Sequence, residues 1–232
     1  MAEPKNKPRT NPKASGNFDL QDSVHWTENL YRKHTRLING IGIAIILVIS
    51  GYFGYRKLYI APREVKALSM VFKAQQYFDR DSLNLALNGD GNNYGFLAVI
   101  RRYGNTQVGQ TAKYCAGVIY VRMGHYRKGI SYLKQFNAGD KIVQAVDYGL
   151  IGDAYMQLGN TKAGIRYYEK AGHYNSNEIV SPLYLMRAGL ALEKAGKPKD
   201  AMAIYKEIKS KYPESMQGRD IDKYLARLGD FE

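Results

Sequence analysis

The residues that could support chemistry in this chain are few: one cysteine, four histidines and one glycine-rich acidic turn. Cys115 falls inside an apolar helical pattern with no obvious base partner, so it reads as a small packed hydrophobe, and a lone cysteine forms no internal disulfide. His25, His34, His125 and His173 are spread over the N-terminal segment, the approach to an apolar run and two repeat turns, so no metal site is expected from them. The turn NGDGNNYG at 88–95 has the composition of a calcium loop. Counting from Asn88, however, Val99 stands where a bidentate Glu is needed, and the turn is expected to join two helices. No glycine-rich loop follows a strand pattern and no G-x-S-x-G occurs. Neither catalysis nor a cofactor is expected, which leaves recognition by a surface.

The elements that would carry such a surface repeat. Three segments align without gaps, AKYCAGVIYVRMGHYRKGISYL, VDYGLIGDAYMQLGNTKAGIRYY and PLYLMRAGLALEKAGKPKDAMAIY. In each, a Gly is followed by a large residue, a second Gly, a small residue and another large one. The sets are Gly117, Tyr120, Gly124, Gly129, Leu133, then Gly152, Tyr155, Gly159, Gly164, Tyr168, then Gly189, Leu192, Gly196, Ala201, Tyr205. Two antiparallel helices approach closely only where a side chain is missing, and the central glycine of each set sits where the first helix must end and turn. An all-α solenoid is therefore expected, behind a single N-terminal apolar helix and closed by a C-terminal capping helix, GRDIDKYLARLG, with Ile221, Tyr224, Leu225 and Leu228 on one face. The expected layout is a disordered polar tail over 1–23, a juxtamembrane segment over 24–36, a transmembrane helix over 37–55, a degenerate first helical repeat over 62–105, three repeats over 106–213 and the cap over 214–232.

These positions resemble the tetratricopeptide repeat, and the resemblance covers five positions in each of three units. In that family the first helix of each repeat lines a concave surface. The resemblance places Thr111, Tyr114, Val118 and Arg122, then Val146, Asp153, Met156 and Gln157, then Leu183, Met186, Leu190, Glu193 and Lys194 on a peptide groove. Apolar side chains with two methionines suit loose contact with varied, partly unfolded segments. The residues of a carboxylate clamp are not all present, since Tyr114 and Val118 fill its first two places.

The anchor is the stretch RLINGIGIAIILVISGYFGYR. Nineteen uncharged residues lie between Arg36 and Arg56, and as a helix at ~1.5 Å per residue they reach about 28 Å, close to a hydrocarbon core of roughly 30 Å. The run begins too late and ends too aromatic and basic for a cleaved signal, and its collars are Arg32, Lys33 and Arg36 before it, Arg56 and Lys57 after it. Gly40, Ala44, Gly51 and Gly54 fall within an arc of about 80° and form a small-residue stripe against which another membrane helix could dock. Residues 1–36 hold seven Lys/Arg against four Asp/Glu, which favours a cytoplasmic N-terminus and a periplasmic repeat domain, with inverted insertion as the alternative.

Together with YFDRDSLNLALNGDGNNYGFL, YGNTQVGQTAKY and KSKYPESMQGRDIDKYL, this architecture is similar to the YfgM-like ancillary subunits of the SecYEG translocon, a bacterial family of membrane-anchored repeat proteins. The resemblance implies an inner-membrane protein whose periplasmic repeats meet the translocon, exported polypeptides or periplasmic chaperones. The alternative, of a different class, is an envelope scaffold whose repeats bind one cell-wall, cell-division or outer-membrane assembly protein and handle no client. The net charge of +13, from 34 basic and 21 acidic residues, is spread along the chain without a dense run. Protein partners and the lipid bilayer are expected, and neither nucleic acid nor a small-molecule substrate is. Twenty tyrosines against seven phenylalanines suit a thin two-layer architecture in which a ring packs while its hydroxyl reaches water.

Overall fold

The computed structural model describes residues 20–230, with side chains from Thr35 onward except Ile38, so most of the expected tail over 1–23 lies outside the described residues. The chain divides into two units, Met1–Tyr55 and Arg56–Glu232.

In the first unit a single helix, α1, runs over Leu20–Tyr55. The juxtamembrane segment and the apolar run are one helix, since nothing from Leu20 to Ile38 interrupts it with a proline or glycine. Among the described residues this is the one segment long and apolar enough to cross a bilayer, judged by length and composition. Ile41, Ile45, Leu47 and Val48 are all exposed. Gly40, Ala44 and Gly51 are exposed and Gly54 half-exposed, and a Cβ at any of these three glycines would meet nothing within 4 Å.

The second unit opens with a π-helical turn over Arg56–Ile60. It continues as α2 (Ala61–Asp79), α3 (Leu83–Asn88), α4 (Phe96–Tyr103), α5 (Gln107–Arg122), α6 (Tyr126–Leu133), α7 (Lys141–Gln157), α8 (Thr161–Tyr174), α9 (Val180–Lys194), α10 (Pro198–Lys211), α11 (Met216–Arg219) and α12 (Ile221–Arg227). No β-strand forms among the described residues. Each helix packs on its neighbours in the sequence, as a solenoid requires, with α5/α6, α7/α8 and α9/α10 as the three hairpins.

One local rule builds all three hairpins. Gly124, Gly159 and Gly196 adopt φ of +77°, +73° and +72°, the left-handed conformation that ends a helix. The amide after each donates back five residues, from His125 to Tyr120 O at 2.8 Å, Asn160 to Tyr155 O at 3.0 Å and Lys197 to Leu192 O at 2.9 Å. Above the turn, a Cβ at Gly117 would come within 2.6 Å of Leu133, and one at Gly152 within 2.6 Å of the Tyr168 ring. Tyr205 fills the same place over Gly189.

The segment before the repeats contains three helices. After Asn88, Gly89 and Gly91 take φ of +88° and +93°, and the Asp90 carboxylate accepts from the Asn92 and Asn93 amides at 2.9 and 2.5 Å, so the chain turns and restarts as α4. The sequence NGDGNNYG thus joins α3 to α4. Ala74, Phe96, Val99 and Ile119 form the core beneath. Glu64 of α2 accepts from the Gln107 and Val108 amides at 2.8 and 2.7 Å, which caps α5 and ties this segment to the first repeat. At the other end Ile221 and Leu225 are buried against Tyr205 and Ile208, with Tyr224 and Leu228 packed beside them.

Candidate peptide-binding groove

The groove residues expected from the sequence lie on the first helix of each hairpin, α5, α7 and α9. Each of these helices has a fixed start or stop. Thr106 Oγ1 accepts from Gly109 N at 3.0 Å at the start of α5, and Asp140 from Ile142 N and Val143 N at 2.8 and 2.9 Å at the start of α7. The left-handed glycines end α5, α7 and α9.

On these helices the thirteen positions divide by exposure. Thr111, Arg122, Gln157, Leu190 and Lys194 are exposed. Tyr114, Val118, Val146, Asp153, Met156, Leu183 and Glu193 are half-buried, and Met186 is buried. Arg122, Gln157 and Lys194 are equivalent in the repeat and form an exposed polar edge with two basic members. Leu190 is the most accessible apolar member, at 41%.

Several expected contacts are already made within the protein. Met156 packs against Gly164 of α8, and Met186 belongs to the core of the third hairpin. Tyr114 lies 5.1 Å from the Phe136 ring, centroid to centroid. The ring of Tyr184 covers Gly149, the α7 residue in the place that Tyr114 holds on α5, so that place is roofed by α9. Arg122 pairs with Asp81 at 2.8 Å.

The two acidic residues of the set are spent in bonds between repeats. The Asp153 carboxylate accepts from Tyr168 Oη at 2.6 Å and from Arg187 Nη1 at 2.8 and 2.9 Å. The Glu193 carboxylate accepts from Tyr205 Oη at 2.5 Å and Arg227 Nη2 at 2.6 Å. Each clip joins an acid, the tyrosine of its own hairpin and an arginine 34 residues further on. Burial, then the adjoining carboxylate, pushes the Tyr168 and Tyr205 hydroxyls above the ordinary phenol range. The first hairpin has Leu133 in place of the tyrosine, and Lys134 Nζ instead reaches Tyr155 Oη at 2.8 Å across to the second. Sequence reasoning missed Arg187 and Arg227. The signal for them was present as an arginine one repeat length after each groove acid.

Cys115 is buried, and burial pushes its thiol up to about 11, so it carries no reactive thiolate at neutral pH. His173 contacts both Glu207 oxygens at 3.1 Å.

With this geometry in view, comparison with known proteins gives the class. The tetratricopeptide repeat model matches residues 184–215, and a second model of the same repeat matches 148–171. A comparison with curated proteins gives no match. Among solved structures, a crystal structure of the MamA protein is similar at 16% identity over 72% of this chain and 90% of that one, with a TM-score of 0.49. A second crystal structure of MamA is similar at 20% identity over 59% and 80%, with a TM-score of 0.41. The fold is an all-α tetratricopeptide-repeat solenoid behind an N-terminal apolar helix, with a C-terminal cap. Such repeats are scaffolds for protein–protein interaction, and protein partners follow from that class.

Proposed function

We propose that this chain is an inner-membrane adaptor whose repeats lie in the periplasm and bind exported polypeptides or chaperones near the Sec translocon, without catalysis. The carrying observation is the pairing of a repeat scaffold with a fully exposed apolar helix of spanning length. Such a helix left in water would expose a continuous run of Ile, Leu and Val, and a bilayer removes that cost. The basic N-terminal segment supports insertion with the N-terminus in the cytoplasm.

The groove supports promiscuous, low-affinity contact. Most of its apolar members are half-buried, with Leu190 exposed and Met186 buried, its two acids are internally paired, and the edge formed by Arg122, Gln157 and Lys194 is polar. A surface of this kind offers shallow apolar contact with little directional demand, which suits passing, partly unfolded chains.

A reporter fused after Glu232 tests the topology, and activity confined to the cytoplasm overturns the periplasmic reading. A photo-crosslinker at Leu190 or Gln157, both exposed, tests the client role. Many nascent exported chains and translocon subunits are expected. Recovery of one stoichiometric cell-wall, division or outer-membrane assembly protein would establish the envelope-scaffold role instead.

A further inference from the structure

The helix α2 has two apolar faces, and only one is covered. Met70, Val71, Ala74 and Phe78 pack into the core beneath it. On the other side Val65, Leu68 and Phe72 are 70%, 62% and 60% exposed, and Leu58, in the π-helical turn before them, is 80% exposed. Large apolar side chains left in water to that extent are a cost that an occupant would remove. With Ala61 they stand at 58, 61, 65, 68 and 72, an alternation of three and four residues. On α2 itself Ala61, Val65, Leu68 and Phe72 fall within an arc of about 60°. Polar residues border that arc, Ser69 and Gln76 on one side and Gln75 on the other.

A narrow stripe with this spacing is the seam of a coiled coil, whereas a helix that lies on a bilayer needs a broader apolar face. Val65 at the first core position of the heptad and Leu68 at the second favour two parallel strands. The edges of a heptad choose between partners by their charges. Here they hold Pro62, Ser69 and Gln76 on one side and Glu64, Val71 and Phe78 on the other. Glu64 is taken by the α5 amides, and Val71 and Phe78 by the core. Such edges neither repel an identical helix nor select a different one. Counted in the sequence alone, the same register runs back through the apolar run, with Leu37, Ala44 and Gly51 at the first core position and Gly40, Leu47 and Gly54 at the second. The small-residue stripe and the stripe on α2 thus obey one seven-residue count. The segment 1–19, polar and with three prolines, has no apolar helical pattern with which to cover either.

We propose that this chain pairs with a second copy of itself, parallel and in register, through Leu58, Val65, Leu68 and Phe72. Anchoring every copy from the same end makes the parallel arrangement the available one, and only this orientation rests on the membrane reading. The stripe covers part of the roughly 800 Å² per partner of a standard interface, so it suits copies already concentrated in one bilayer. A pair so formed presents two grooves to one client, and two weak contacts on the same chain then combine as avidity.

The test uses the full chain, in membranes and in detergent. Oxidation should join Val65→Cys to itself and Leu68→Cys to itself roughly 10-fold faster than Lys66→Cys or Lys73→Cys, which lie off the stripe, because a disulfide needs Cβ atoms within a few ångströms. The unsubstituted chain, whose Cys115 is buried, is the blank. Light scattering in detergent should give twice the mass of one chain. Leu68→Glu should weaken that dimer about 100-fold, as burial of an unpaired charge predicts, and Val65→Ser with Leu68→Ser repeats the test without a new charge. Both sites are exposed in a single copy, so circular dichroism should show the variants folded. A photo-crosslinker at Phe72 should capture the chain itself, and capture of lipid alone or of a different protein alone overturns the proposal. A chain that stays single at every concentration overturns it, as do equal oxidation at all four cysteine positions and a dimer that survives both stripe variants. None of these outcomes depends on which side of the bilayer holds the repeats or on which client they meet, so the two readings fail separately.

Discussion

At the residue scale, two acids of the second repeat have opposite fates, and each yields a measurable consequence. Asp147 is buried, and burial, opposed by Lys170 and the Gln144 bond, raises its carboxyl from 3.8 to about 7. The folded chain therefore holds this proton more tightly than the unfolded one. Its contribution favours the fold below the unfolded value and is lost as pH rises through the interval up to about 7. Asp147→Asn should accordingly leave the melting temperature unchanged at acidic pH and raise it above neutrality, by an amount corresponding to about 1–3 kcal/mol. Paired melts at the two pH values check the sign. Asp153 is instead fully engaged, and a double-mutant cycle of Asp153→Ala with Arg187→Ala should return a coupling of about 1 kcal/mol in urea unfolding. That modest figure reflects the 34% and 41% exposure of the two side chains. The acids Asp153 and Glu193 were visible in the sequence as groove positions. Their engagement was not, because the arginines that hold them lie one repeat away and only stacking of the hairpins brings them together.

At the scale of elements, the hairpin is a rule about missing side chains. Gly152→Leu would drive carbon into the Tyr168 ring, where even a Cβ would come within 2.6 Å. It should cost about 1–3 kcal/mol by overpacking, and would displace the tyrosine that donates to Asp153. Gly159→Ala tests the turn alone. Its φ of +73° is strained for any side chain although space is open there, so a loss of about 1 kcal/mol is expected with α7 and α8 otherwise intact. Comparing the two variants by chemical denaturation and aromatic circular dichroism separates the cost of packing from that of backbone strain. The helices, turn glycines and large partners of all three hairpins were legible because they recur. In the three-helix segment before them the turn at 88–95 was legible from its Gly, Asn and Asp content, but the way Glu64 of α2 caps α5 was not, because it joins residues more than forty positions apart.

At the scale of the whole molecule, the solenoid needs an end. Removing residues 214–232 would uncover Tyr205 and Ile208 by stripping away Ile221 and Leu225, each worth about 1.5–3 kcal/mol of burial. The truncated chain should melt at lower temperature and associate in detergent, as size-exclusion chromatography with light scattering would show. The sequence by itself determined the helical class, the repeat period, the apolar segment and the cap, because each depends on local spacing and composition that a short window contains. Only the tertiary structure decided which groove residues are exposed and which are spent. It also showed that Met156, Met186 and Tyr184 fill space between helices, that acids and arginines form clips from one repeat to the next, and that Asp147 is buried. The physical reason is the same in each case: these outcomes depend on distances between residues far apart in sequence, which come into being only when the hairpins stack.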